Sequence, residues 1–155
     1  MSVYELTESL SVAAQITPQD IGGLAAQGFT TVVCNRPDGE SPGQAGMDEM
    51  EAACHEAEVL FIRYPVSVMN FPGADLEGLG ALFDDPNQKV LAYCRSGTRC
   101  ANLIFLGPQR TLKLLRLLSL MTNKKWSFNP MNVLILGMET TNLAMYAPQE
   151  LTAIG

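Results

Sequence analysis

The 155-residue chain has one histidine, His55, and no C-x-x-C pair among its four cysteines, Cys34, Cys54, Cys94 and Cys100. Neither a zinc site nor a disulfide framework fits that inventory, so no metal and no cofactor is expected. Nowhere does an uninterrupted apolar run approach the roughly 18 residues that a membrane span needs. The N-terminal "MSVYELTESLSV" lacks the basic segment, apolar stretch and small-residue cleavage site of a secretory signal, which makes a cytoplasmic location the expectation. Positive charge is scarce too. Ten Lys and Arg stand against 16 Asp and Glu, for a net charge of -6, and this excludes a general nucleic-acid binder, which needs a basic face.

What is present is a globular composition, 47% hydrophobic and 17% charged, in a chain long enough for one ordinary domain. The charge divides the chain unevenly. Residues 1–107 carry 5 basic and 14 acidic side chains, whereas 108–155 carry 5 and 2.

Helix and strand signals alternate along the first part. "TPQDIGGLAAQG" opens with a Thr17 cap, Pro18 at the first helical position and Asp20 at capping-box spacing, and Gly28 stops it. "FTTVVCN" is short and rich in β-branched residues, as a strand should be. After the "RPDGESPGQAG" loop, "MDEMEAACHEAE" reads as a helix and "VLFIRYPV" as a second buried strand. "ADLEGLGALFDD" has leucines at helical spacing, and "PNQ" breaks it before a third strand, "KVLAY". Such alternation predicts a mainly parallel sheet flanked by helices.

The chemistry concentrates where "KVLAY" ends, in "CRSGTR". Ligands of parallel sheets bind beyond the carboxyl ends of the strands, and Cys94 stands there. A helix starting near Thr98 would aim unpaired N–H groups and a positive dipole end at the loop, forming an anion cradle. Gly97 lets the backbone curl, Ser96 and Thr98 offer hydroxyls, and Arg99 can fork onto two oxygens of a tetrahedral anion. The same surroundings lower a thiol's pKa, so Cys94 is the candidate nucleophile. Packed as an ordinary small residue, Cys94 would need none of these neighbours.

"CRSGTR" resembles the active loop of rhodanese sulfurtransferases. It also resembles the Cys-x5-Arg loop of tyrosine phosphatases, although here four residues separate Cys94 from Arg99. Taken with "LSVAAQITPQDIGGLAAQGFTTVVCNRPDGE" and "RYPVSVMNFPG", the motif is similar to the bacterial beta-lactamase hydrolase-like protein phosphatase-like domain family, DUF442, over about residues 10 to 107. That family is also labelled a sulfur transferase family. The resemblance implies a single α/β domain of tyrosine phosphatase-like fold over 1–107, with a rhodanese-like fold as the alternative. It maps Cys94 to the nucleophile, Arg99 to the anion-binding arginine, and Arg95, Ser96, Gly97 and Thr98 to the substrate-binding loop.

The resemblance fades after residue 107. Residues 108–155 are expected to be a divergent C-terminal segment, helical in part, with "TLKLLRLLSLM" a core or partner-facing helix.

Two departures from ordinary phosphatases stand out. Tyr93 replaces the histidine before the cysteine, and Val68 occupies the place of the usual aspartic acid. Asp38, Glu40 and Asp75 are the candidates for the missing general acid; each has an alternative reading as a turn residue or helix cap. The expected function is phosphate-ester hydrolysis through a Cys94 phosphocysteine. Sulfur transfer through a Cys94 persulfide is the alternative, and a non-catalytic anion-binding or redox module is the second. The expected ligand is a small anion, either a phosphate ester or a sulfane sulfur donor. Cys100 is either a packed thiol or a resolving partner for oxidised Cys94. Cys54 and His55 diverge on their helix and form no dyad. Arg36 and Arg63 either receive an anionic substrate or pair with nearby acids.

Overall fold

The computed structural model describes residues 1–105; the segment 108–155 lies outside the described residues. Among the described residues five strands form one sheet in the order β1-β2-β5-β3-β4. β1 (Val3–Glu5) runs antiparallel to β2 (Leu10–Ala13), and β2, β5 (Val90–Tyr93), β3 (Thr31–Cys34) and β4 (Leu60–Arg63) are parallel. Four helices connect or follow them: α1 (Ile21–Ala26), α2 (Met47–Glu56), α3 (Leu76–Asp84) and α4 (Thr98–Phe105).

β5 lies between β2 and β3, paired in parallel register with both. Its four residues are all buried, and they alternate between two cores. Val90 and Ala92 join Val12, Val33, Leu79, Phe83, Leu103 and Ile104 on the α3/α4 side. Leu91 and Tyr93 join Ile21, Leu24, Val32, Met50 and Phe61 on the α1/α2 side. Each fully buried aliphatic side chain contributes about 1.5–3 kcal/mol, so the central strand is fixed from both faces. By the same period of two, Cys94 follows Ala92 into the α3/α4 core, while its predecessor Tyr93 turns away.

Local chemistry sets the helix ends. The Thr17 N–H and hydroxyl both donate to Asp20 Oδ2, at 2.8 and 2.9 Å, which caps a short 3-10 turn (Pro18–Asp20) leading into α1. Gly28, at φ 86°, ends α1 in the left-handed region. Asp75 caps α3 by accepting the Gly78 N–H at 2.9 Å.

The sheet differs from the sequence expectation in two places. The N-terminal pair β1 and β2 adds a parallel and an antiparallel strand to the three that were expected. β2 is four residues long and includes the buried polar Ser11, so neither its length nor its apolar content marks it as a core strand. The "VLFIRYPV" strand, expected to be buried, is the sheet's edge: Leu60 is 54% exposed, and Arg63 also faces solvent. With a neighbour on one side only, β4 leaves part of its length uncovered. Among the described residues, no helix is long and apolar enough to cross a membrane.

Candidate active site

The loops that leave β2, β3 and β5 meet at the carboxyl end of the sheet. The backbone ties them together: the Cys94 N–H donates to the Ala13 carbonyl and the Gln15 N–H to the Arg95 carbonyl, each at 3.4 Å. Asn35, following β3, donates its N–H to the Tyr93 carbonyl at 2.9 Å, which aligns the β3 loop with the start of the Cys94 loop.

From Cys94 the chain turns through Arg95 and Ser96, both exposed, and enters α4 at Thr98. Gly97 makes the turn possible. Its φ of 86° is costly for any residue with a Cβ, and it aims the Gly97 N–H at Cys94 Sγ, 3.1 Å away. The Gly97 carbonyl then accepts the first helical bond from the Ala101 N–H at 3.0 Å. The Ser96 and Thr98 hydroxyls lie 3.1 Å apart and bond to each other.

The Cys94 pKa is lowered to about 6. The largest cause is a hydrogen bond from the Cys100 thiol; burial opposes it, and backbone N–H groups of Cys100, Ser96 and Arg99 add to it. Cys100 is fully buried, and burial together with the adjacent Cys94 sulfur pushes its own pKa well up. Cys100 therefore acts as the protonated donor to a Cys94 thiolate. This goes beyond the packed-thiol reading: the side chain is packed, and it also touches the nucleophile candidate.

Arg99, on the first turn of α4, is held by two acceptors. One terminal nitrogen donates to the Asn35 carbonyl at 3.0 Å and the other to Glu40 Oε1 at 2.8 Å. Glu40 Oε2 accepts from Arg36 Nε at 2.9 Å. Arg36 is 3% exposed, and its terminal nitrogens donate to Gln15 Oε1 at 2.7 Å and Ser41 Oγ at 2.6 Å. The sequence offered Arg36 as an anion receiver or an ion-pair partner, and the ion pair is what forms. Arg63 likewise pairs with Asp48 at 2.7 Å and with Glu51.

None of the three general-acid candidates is free. Burial works against ionisation of Glu40, but the hydrogen bonds from Arg36 and Arg99 outweigh it and keep the carboxyl below the ordinary range. A carboxylate so held is a poor proton donor near neutral pH. Asp38 Oδ1 accepts the Met47 N–H at the start of α2, at 2.9 Å, and Asp75 is the α3 cap. Val68, where an acid was missing from the motif, is 84% exposed beside the equally bare Met69.

Tyr93 is buried among the α1/α2 side chains and hydrogen-bonded to Cys34; burial raises the pKa of both groups. Cys54 is buried on α2 with its thiol pushed up to about 11 by burial, and it takes no part in the site. Among the described residues no group of His, Cys, Asp and Glu is arranged to hold a metal ion.

Residues 2–110 match the family model of the beta-lactamase hydrolase-like protein, phosphatase-like domain. The match begins eight residues before the motif-based resemblance and so takes in the N-terminal strand pair. A beta-lactamase hydrolase-like protein of Agrobacterium fabrum is 34% identical over 107 residues, 69% of this chain and 25% of the relative. The chain thus spans only part of the length of the curated relatives it matches. A solved Neisseria meningitidis protein, described as a phosphatase candidate, is similar at 34% identity with a TM-score of 0.60, over 68% of this chain and 75% of that one. The structure of Tk-PTP in its active form shares the fold, with a TM-score of 0.60 at 16% identity over 88% of this chain and 94% of that one. Extent of match, sheet topology and a cysteine loop at the carboxyl end of the sheet agree: the chain belongs to the beta-lactamase hydrolase-like protein phosphatase-like domain family, DUF442, and has a tyrosine phosphatase-like α/β fold.

Proposed function

We propose that the domain hydrolyses phosphate esters with Cys94 as nucleophile. The observation that carries this reading is the placement of Cys94 Sγ in the turn before α4, 3.1 Å from the Gly97 N–H, in surroundings that lower its pKa to about 6. A sulfur anion held this way marks the spot that an anionic substrate would approach, with the α4 dipole and Arg99 to offset the charge.

In the first step the Cys94 thiolate attacks phosphorus, an S–P bond forms and the ester P–O bond breaks. The leaving oxygen takes its proton from water, because among the described residues no carboxyl at the site is free to supply one. In the second step water attacks the phosphocysteine, the S–P bond breaks, and inorganic phosphate leaves with the thiolate restored. Arg99 and the N–H groups of Arg95, Ser96, Gly97 and Thr98 hold the non-bridging oxygens. A missing general acid costs about 100-fold to 10,000-fold with poor leaving groups, so aryl esters should turn over far faster than alkyl esters.

One observation favours a second reading. Transfer of sulfane sulfur to Cys94 needs no leaving-group acid, and the three carboxyls that might have served are bound elsewhere. Incubation with an aryl phosphate and, separately, with thiosulfate, followed by phosphate assay and intact mass, separates the two. Phosphate release from the ester is the expected result. A one-sulfur mass gain on Cys94 without phosphate release would overturn the hydrolase in favour of the sulfurtransferase. Anion binding without either reaction would leave a non-catalytic module.

A further inference from the structure

We propose that Glu40 is the positioning residue for Arg99, a carboxylate that joins the anion-binding arginine to the buried arginine Arg36. The inference rests on the anion-binding role given above to the Cys94 loop.

Helix α4 fixes the backbone of Arg99 but leaves a long, rotatable side chain, and an arginine that must meet a tetrahedral anion in one orientation needs further holds. It has two, the Asn35 carbonyl at 3.0 Å and Glu40 Oε1 at 2.8 Å, one on each terminal nitrogen. A guanidinium carries five N–H groups, so these two bonds leave three to face a ligand. Glu40 therefore orients the fork without consuming it.

The hold on Glu40 is itself rigid. Its second oxygen accepts from Arg36 Nε at 2.9 Å, and Arg36 is locked from below by Gln15 and Ser41. Gln15 follows β2, Arg36 and Glu40 follow β3 and Arg99 lies in the first turn of α4, so the carboxylate ties the β3 loop to α4, and Arg36 extends that tie to the β2 loop through Gln15. Gly39, at φ 75°, supplies the left-handed turn that brings Glu40 back over its own loop. Two guanidinium groups on one carboxylate also keep Glu40 ionised, which an orienting acceptor requires.

A purely structural Glu40, serving only to fold its loop through Arg36, is the competing account. The test is a double-mutant cycle of Glu40→Gln and Arg99→Lys in the full chain, read by calorimetric binding of inorganic phosphate and by kcat and KM for an aryl phosphate. Glu40→Gln should weaken phosphate binding by about tenfold and raise KM in parallel, with a smaller fall in kcat. In the Arg99→Lys background the same change should cost less than about twofold, because the side chain through which Glu40 acts is gone. Losses that add in full, or phosphate binding by Glu40→Gln as tight as wild type or tighter, would overturn the proposal. If Glu40→Gln does not fold, Glu40→Asp enters the same cycle, since its shorter carboxylate keeps the charge but cannot span both arginines; additive losses there overturn it equally. Wild type that binds phosphate and releases none from the ester would overturn the hydrolase reading and leave this coupling standing. Wild type that binds no phosphate would overturn both.

Discussion

Two of the loops that meet at the carboxyl end of the sheet hold their parts of the site with different balances of backbone and side chain. Around the sulfur the Cys94–Arg99 loop contributes backbone, with Gly97 offering its N–H to Cys94 Sγ beside the Cys100 thiol, whereas the hydroxyls of Ser96 and Thr98 bond to each other. The Asn35–Ser41 loop gives Arg99 one backbone acceptor, the Asn35 carbonyl, and otherwise relies on a side-chain network of Arg36, Glu40 and Ser41 that ends on Arg99. Backbone donors cannot rotate away, which suits the place where charge develops. Side chains reach farther, which suits the task of aiming another side chain from a loop distant in sequence.

Substitutions can break that contrast. The largest expected effect is Cys94→Ser, which should lower aryl phosphate turnover by at least about 10,000-fold while inorganic phosphate still binds; measurable turnover would remove the nucleophile assignment. Gly97→Ala comes next. Its Cβ disfavours the φ of 86°, so stability should fall by about 1–2 kcal/mol in urea unfolding and turnover by roughly 100-fold as the N–H leaves Sγ.

Cys100→Ala sharpens the account of the thiolate. In wild type, alkylation of Cys94 by iodoacetamide and ester turnover should both rise with pH through an inflection near 6, since the thiolate is the reactive form and the fold stabilises it. Removing the Cys100 donor takes away the largest cause of that lowering, so the inflection should move upwards and turnover below neutrality should fall. An unmoved inflection would mean that the backbone N–H groups suffice. The smallest effect is expected for Ser96→Ala, a loss of no more than about threefold, because among the described residues the hydroxyl bonds Thr98 alone. A larger loss would mean that the Ser96 hydroxyl itself serves the site.

The sequence exposed the first loop far better than the second. Strand, cysteine, glycine, arginine and helix follow one another within a dozen residues, and each has a local signature. The pairing of Glu40 with Arg99 joins positions 59 apart, and no periodicity or spacing reports it. Glu40 was therefore legible as an acid near the site but not as an acid already committed. Similarly, β2 was missed because four residues interrupted by Ser11 give too short a signal, and the exposure of β4 depends on its place at an edge of the sheet, which its own residues do not encode.

The alternation of β5 has one more consequence. Val90 and Ala92 face one core and Leu91 and Tyr93 the other, and Cys94 takes its direction from that beat. Inserting or deleting one residue within the strand would keep every residue of "CRSGTR" and yet turn the cysteine towards the opposite layer. The aim of the sulfur is thus a matter of parity, counted along a strand buried on both faces.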